Sequence, residues 1–449
     1  MAAPERLPGS WGIDPVPERL RVLGGLDVGL LWGNLGVSLL VIVAGAALVP
    51  ALSLPDALLA ILLGCLLGNL LLGLAGLIGA DARVPGMVLM RASLGQRGSY
   101  LPTAVNALQG LGWSVFELLV IATAAAALSD ELVGVRAQWL WTLVFGAVAL
   151  ALALLGPIGF VRRVVRRVAV WTVPLALLYL TWWALAEADV GALWQAPGEG
   201  GLSVWQGADV VVGITVSWAP YAADYTRFAR TRGGAFAGTA LGYLVPDAWL
   251  LALGVLLVLS RDLADPAALP AAVAAAGLAA LLALAALLVT ETDEAFANIY
   301  SAAVSLQNLL PRAPQPLLIA LVAAAAVCGA LVVDLVAYQT FLLLLGSLFV
   351  PLFAVQLAHW LASDARYSRE DVFGSPAWRP GLVAAWLAGV ALYQWLTPTG
   401  PGWWTALVAR LDPPEWGIGA TVPSFLAAFV LAGAVSLRSR RVQAGAAPA

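Results

Sequence analysis

The chain predicts an all-α integral membrane protein of 12 transmembrane helices, with both ends on the cytoplasmic side of the cell (inner) membrane. Three observations carry that reading. Hydrophobic residues make up 61% of the 449 positions and charged ones only 11%, at a mean hydropathy of +0.91. So much apolar surface cannot be hidden in a water-soluble core. Apolar windows of about 20 residues, the length that crosses a bilayer as a helix, recur along the whole chain. The basic residues, every one an Arg, alternate between the gaps in a way that a miscounted span would destroy.

In order, the spans lie near 27–50, 55–80, 101–128, 137–156, 168–187, 204–224, 235–260, 271–306, 316–333, 336–360, 380–397 and 420–437, and are numbered one to twelve. With the N-terminus inside, 20 of the 23 Arg fall on the inner face. These are Arg6, Arg19 and Arg21; Arg83, Arg91 and Arg97; Arg162, Arg163, Arg166 and Arg167; Arg227, Arg230 and Arg232; Arg312; Arg366, Arg369 and Arg379; and Arg438, Arg440 and Arg441. Only Arg136, Arg261 and Arg410 fall outside, where acids such as Glu187, Asp189 and Glu199 collect. Residues 1–26 and 438–449 are then cytoplasmic segments. The former are polar and lack the apolar core of a cleavable signal.

Several function classes drop out. Cys65 and Cys328 both sit in apolar runs, so neither a disulfide framework nor metal-ligand spacing is expected. His359 stands alone and cannot build a His-based metal site; packing or an interface suits it better than a proton relay. No GxxxxGK[ST] loop occurs, and without a single Lys that route to ATP-driven pumping has no residue to use. A channel would want repeated charge rings or a filter sequence. No nucleophile–base pair, metal cluster or sensor domain suggests an enzyme or receptor. The remaining class is a carrier driven by a gradient, with no cofactor, no nucleic acid and no obligate protein partner.

The stretch GITVSWAPYAADYTRFAR in span six is too uneven for an ordinary membrane helix. Pro220 cannot donate its amide and clashes with the carbonyl four residues back, and Gly207 and Gly213 loosen the turns before it. Span one has a similar weak centre, GLLWGNLGVS, where Gly29, Gly33 and Gly36 surround Asn34 and Ser38. If the chain is two repeats of five helices, spans one and six are counterparts, and paired interruptions point to a transporter's binding site. Glycines that merely let helices pack closely are the alternative for either span alone. The pair together favours a site.

Span three carries NALQGLGWSVFELL. Trp113 and Glu117 are four residues apart and share one helix face, so a flat heteroaromatic ring could stack on the indole and meet the carboxylate at its edge. A Glu paired with an Arg or a water is the alternative. Trp218, beside the break in span six, offers a second aromatic plane. Span eight carries VTETDEAFANIYSAAVSLQN, in which Glu291, Glu294 and Asn298 recur at helical spacing and Ser301 and Ser305 extend the stripe. Asp293 points about 200° away from Glu291. Because Ala271 to Val289 already has the length of a span, ETDE is either this polar stripe or the wet cytoplasmic end of the helix.

Taken together, VPGMVLMRASLGQRGSYLPTAVNALQGLGW, SWAPYAADYTRFAR and NIYSAAVSLQNLLP resemble the nucleobase:cation symporter family of cytosine permeases, purine and allantoin permeases and hydantoin transporters. The resemblance spans about residues 20–440. It implies a leucine-transporter-like fold: inverted five-helix repeats over 27–187 and 204–360, broken helices one and six, and two trailing helices over 380–437. It also implies alternating access around a midplane site. Trp113 and Trp218 would sandwich the ligand ring, Glu117 and Asn298 would hydrogen-bond its edges, and backbone around Gly33 and Ala219 would complete the pocket. Asp224 and Arg227 look like a structural landmark at the cytoplasmic end of span six.

The resemblance also places ETDE at the cation site rather than at a wet end. Thr292 and Asp293, with Asn34 from span one, would then couple a cation. Sodium-binding members tend to have hydroxyl residues there, so the Asp could ligate Na⁺ or carry H⁺; Glu291 and Glu294 receive no role. A carboxylate at Glu117 accepts hydrogen bonds from exocyclic amines and ring N–H groups, as Glu or Asp reads cytosine. That tilts the expected substrate toward cytosine or toward hydroxymethylpyrimidine, the thiamine precursor, whose branch the span-eight motif resembles. The rival reading is an amino-acid or amine transporter on the same architecture.

Overall fold

The computed structural model describes residues 12–160, 170–186, 188–261, 272–273, 277–333, 338–414 and 417–446. Arg6, Arg162, Arg163, Arg166, Arg167 and Glu187 lie outside these residues. Among the described residues the chain is helical throughout, with one isolated bridge, between Leu23 and Ala229. A helix or helix pair lies at every predicted span. Among the described residues six helices are by themselves long and apolar enough to cross a membrane, and the bent pair in span one makes a seventh if counted as one span. Span two is Leu54–Ala82, span three Tyr100–Val133, span four Gln138–Phe160 and span five Val170–Leu185. Spans seven to twelve are Arg232–Arg261, Leu278–Leu309, Gln315–Ala330, Tyr338–Ala362, Pro380–Leu396 and Thr421–Ala446. Short helices at Gly86–Leu94, Val190–Gln195, Arg369–Phe373 and Gly402–Ala409 join them.

Local chemistry sets the helix ends. Ser53 caps span two with Pro in the first turn, and Ser203 with Gln206 forms a capping box on span six. Gly134, at φ 71°, ends span three in the left-handed conformation that favours glycine. Span one is two helices, Gly25–Leu35 and Leu39–Ala46, bent by 60° at Gly36–Ser38. Span six is Val204–Ser217 followed by Ala219–Thr226, interrupted at Trp218. The interruption falls two residues before Pro220, which occupies the first turn of the second helix, where its missing N–H costs nothing.

The glycines of span one are spent on packing. Gly25, Gly29 and Gly33 run at four-residue spacing along span seven, against Gly234, Gly238 and Gly242. A Cβ on Gly242 would lie 2.5 Å from the Gly29 carbonyl oxygen, and one on Gly238 would lie 2.6 Å from that of Gly25. Backbone thus meets backbone, the close approach that small residues allow in membranes. Gly45 and Gly254 extend the contact past the bend.

Span one packs on seven and span six on two; span four packs on eight and span nine on three; two packs on seven and three on eight. Exchanging spans one to five for six to ten leaves these pairings unchanged, whereas the packing of span eight on five and of span ten on six has no counterpart of similar extent among the described residues.

At the inner end, Arg227 is fully buried and donates to the Gly12 carbonyl (2.9 Å) and the Tyr300 hydroxyl (3.2 Å). Asp224 accepts from the Gly86 amide at 2.9 Å. Arg21 donates to the carbonyls of Ala229 and Arg230, so the segment before span one is tied beneath span six. The landmark ADYTR segment is a clamp on the backbone, as expected from a guanidinium fork that must find acceptors when buried.

Candidate functional site

The two interruptions are filled from spans three and eight. At the break in span one, Glu291 accepts from the Ser38 hydroxyl (2.9 Å) and the Leu39 amide (2.8 Å), while Ser38 also caps Leu40. A carboxylate at a helix N-terminus satisfies orphan amides and meets the positive end of the dipole. At the break in span six, Gln109 of span three donates to the Ser217 carbonyl at 2.7 Å, and Tyr221 donates to the Asn106 carbonyl at 3.2 Å.

That second contact orients the face of span three that the sequence singled out. Gln109, Trp113 and Glu117 are spaced by four residues and share one face. Gln109, one turn before Trp113, meets the residue that precedes Trp218. Trp218 is 5% exposed and meets Trp32 edge-on at 5.9 Å, with Tyr221 at 6.0 Å and Tyr243 at 6.4 Å. Trp113 is 6% exposed and meets Phe341 of span ten edge-on at 5.3 Å. Each indole therefore has aromatic neighbours that hold its plane, as a stacking wall requires.

Glu117 is fully buried, and neither of its oxygens receives a hydrogen bond from a donor group. Its carboxyl interacts electrostatically with those of Glu291 and Glu294. Ionised carboxylates only accept, so such a grouping needs a shared proton, a cation, or a ligand that donates. Glu291, Asp293 and Glu294 are 1%, 2% and 4% exposed, in the interior of an unbroken helix. The wet-end alternative for ETDE is thereby corrected: the helix continues to Leu309, and its acids are enclosed by neighbouring spans.

The other expected site residues are placed as follows. Asn298 donates to the Glu294 carbonyl at 3.1 Å, and its own side-chain oxygen has no partner. It sits beside span three, since a Cβ on Gly110 would lie 3.3 Å from the Asn298 carbonyl oxygen. Thr292 donates to the Leu288 carbonyl at 2.9 Å and keeps its lone pairs, while both Asp293 oxygens lack a partner. Asn34 and Ala219 are buried at the two breaks. The bare α-carbon of Gly33 faces the Gly242 carbonyl oxygen, 3.3 Å from a Cβ placed there, so close packing accounts for this glycine.

Among the described residues no group of three or more His, Cys, Asp or Glu is arranged to hold a metal ion. Glu291, Gln109 and Tyr221 are functional neighbours that sequence reasoning left without a role. Periodicity alone could flag Glu291 and Gln109, but not what they reach.

Buried polar groups of spans three and eight meet the bend in span one and the helix junction in span six, an arrangement that fits a membrane carrier with discontinuous helices. The chain belongs to the family of permeases for cytosine and purines, uracil, thiamine and allantoin, whose profile matches residues 15–419. It is thus a permease of the nucleobase–cation symporter family and not an enzyme. A search of curated protein sequences finds no match.

Among solved structures, it is similar to Mhp1, a nucleobase-cation-symport-1 family transporter, in a closed conformation with bromovinylhydantoin bound. The TM-score is 0.74 at 19% identity, covering 95% of each chain. The inward-facing conformation of Mhp1 gives 0.72 at 19% identity, covering 96% of this chain and 93% of that one. A manganese transporter from Eremococcus coleocola gives 0.58 at 15% identity, covering 96% and 98%.

Proposed function

We propose that the protein imports an aminopyrimidine, cytosine or hydroxymethylpyrimidine, together with Na⁺ or H⁺ by alternating access. The observation that carries this reading is Glu117: a buried carboxylate without a donor, one turn from Trp113 on the face of span three that meets the span-six break. An exocyclic amine or ring N–H would supply the missing donor, and a diketo ring offers fewer of them. Trp113 and Trp218 stack the ring, and the free oxygen of Asn298 takes a further N–H.

Thr292, Asp293 and Asn34 serve the coupling cation. Asp293 supports this by two buried oxygens without a hydrogen-bond partner, and Thr292 by a buried hydroxyl that donates to Leu288 and keeps its acceptor capacity. Cation binding there stabilises the state that accepts the ring, and joint occupancy favours occlusion and inward opening. The transporting unit is two repeats, 27–187 and 204–360, supported by the exchange pattern of their packing, with 380–437 trailing. Both termini face the cytoplasm of a cell with an inner membrane, supported by the Arg distribution.

An amino-acid transporter of this architecture would grip a substrate carboxylate with the positive end of broken span one. Here Glu291 already covers that end. The test is a thermal-shift screen of the purified chain with cytosine, hydroxymethylpyrimidine, uracil, purines, allantoin and amino acids, each with and without Na⁺. A shift confined to aminopyrimidines is expected. A larger shift with uracil, allantoin or an amino acid would overturn the substrate assignment.

A further inference from the structure

Asp247 is a second buried acid that the substrate pocket does not use. It lies fully buried in span seven, directly after Pro246. One of its oxygens, Oδ2, accepts from Asn69 Nδ2 of span two (3.2 Å), Thr215 Oγ1 of span six (3.1 Å) and Cys65 Sγ of span two (3.5 Å). Three neutral donors converging on one oxygen are surroundings in which a carboxylate can carry its charge once a cation is bound. Such a charge within a membrane span calls for a counter-charge. None of the ion pairs or Arg hydrogen bonds among the described residues reaches Asp247, and the charged group of span eight within electrostatic range, Glu294, has the same sign.

One further oxygen on each of Asp247 and Asn69 is unused. Asp247 Oδ1 and Asn69 Oδ1 are both buried and receive no hydrogen bond, although their two side chains are in contact through Oδ2 and Nδ2. Thr215 Oγ1 keeps lone pairs beside them. The wall is stiff: a Cβ on Gly68 would lie 2.8 Å from Thr215 Cβ, and one on Gly64 2.5 Å from Val211 Cβ, so spans two and six touch around the cluster. Oxygens from a carboxylate, an amide and a hydroxyl are a hard donor set, and one net negative charge matches one positive charge.

We propose that Asp247, Asn69 and Thr215 bind a monovalent alkali cation, Na⁺, between spans two, six and seven. This rests on the reading of the chain as a cation-coupled carrier and adds a site separate from Thr292 and Asp293. The site lies one turn from the aromatic wall on two helices. The Trp218 amide donates to the Thr215 carbonyl at 3.2 Å, and Tyr243, four residues before Asp247, packs its ring on Trp218. An ion that ties the three spans together orders the plane on which the ring stacks, and by linkage the ring tightens the ion.

The experiment is equilibrium binding of ²²Na⁺ to the purified full chain by scintillation proximity, from pH 6 to 9, on wild type, Asp247→Asn and Thr215→Val. Size-exclusion profiles check folding. Saturable binding by wild type, weakened at least tenfold by Asp247→Asn and several-fold by Thr215→Val, is expected. Equal Na⁺ affinity in wild type and Asp247→Asn would overturn the site, as would wild type that binds a heterocycle but no Na⁺ at any pH. Should Asp247→Asn fail to fold, Thr215→Val and Asn69→Ala decide, and unchanged affinity in both overturns it. Asp247-dependent Na⁺ binding without any heterocycle shift would leave this site standing and remove the proposed substrate.

Discussion

Glu291 of span eight accepts a 2.8 Å hydrogen bond from the amide of Leu39, the first residue of the second half of span one. One carboxylate therefore holds a broken helix end and interacts electrostatically with Glu117, on the helix that carries Trp113. Replacing Glu291 by Ala leaves the Leu39 amide and the Ser38 hydroxyl without their acceptor, which costs about 1–3 kcal/mol. Glu291→Gln keeps one acceptor oxygen and should lose clearly less. Thermal denaturation of both variants checks this, and equal losses would show that the cap contributes nothing.

The indoles act on the ring directly. Stacking of a base on an aromatic side chain is worth about 1–3 kcal/mol, so Trp113→Ala should weaken apparent substrate affinity by about tenfold or more. Trp218→Ala should do the same and also lower stability, because it removes the contacts with Trp32, Tyr221 and Tyr243. Trp218→Phe restores much of the packing with a smaller stacking face. Uptake kinetics on folded variants decide the matter, and normal affinity in both Ala variants would remove the sandwich.

Asp293 separates the coupling ions. In Asp293→Asn the hydrogen-bonding shape is kept and the charge is lost. Uptake into vesicles should then lose its response to whichever jump, sodium or pH, drives the wild type. A variant that responds to both jumps as wild type does would take Asp293 out of coupling.

The glycine seam gives a prediction of opposite outcomes along one contact. A methyl on Gly29 would lie 3.8 Å from the nearest atoms, ordinary contact, whereas one on Gly242 would lie 2.5 Å from the Gly29 carbonyl oxygen. Gly29→Ala should melt close to wild type. Gly242→Ala should lose about 1–3 kcal/mol, the usual cost of overpacking. Similar melting of the two variants would mean that the spans are not in backbone contact.

Much of this was legible in the chain. Apolar runs and Arg placement report the solvent around each segment, and a lipid span leaves few alternatives to a helix, so helix positions follow from composition. The shared face of Trp113 and Glu117 follows from helical spacing alone. What no spacing rule contains is the partner across the bundle. That Gln109 would meet the Ser217 carbonyl, that Glu291 would cap Leu39, and that Gly33 would lie against Gly242 each depend on which helices become neighbours. Residues hundreds of positions apart are brought together by packing, and a one-dimensional pattern has no term for it. By itself the sequence determined the membrane, the spans and the likeness to a permease family; the tertiary structure decided which buried acids meet which broken helix, because only packed neighbours can satisfy a polar group that lipid will not.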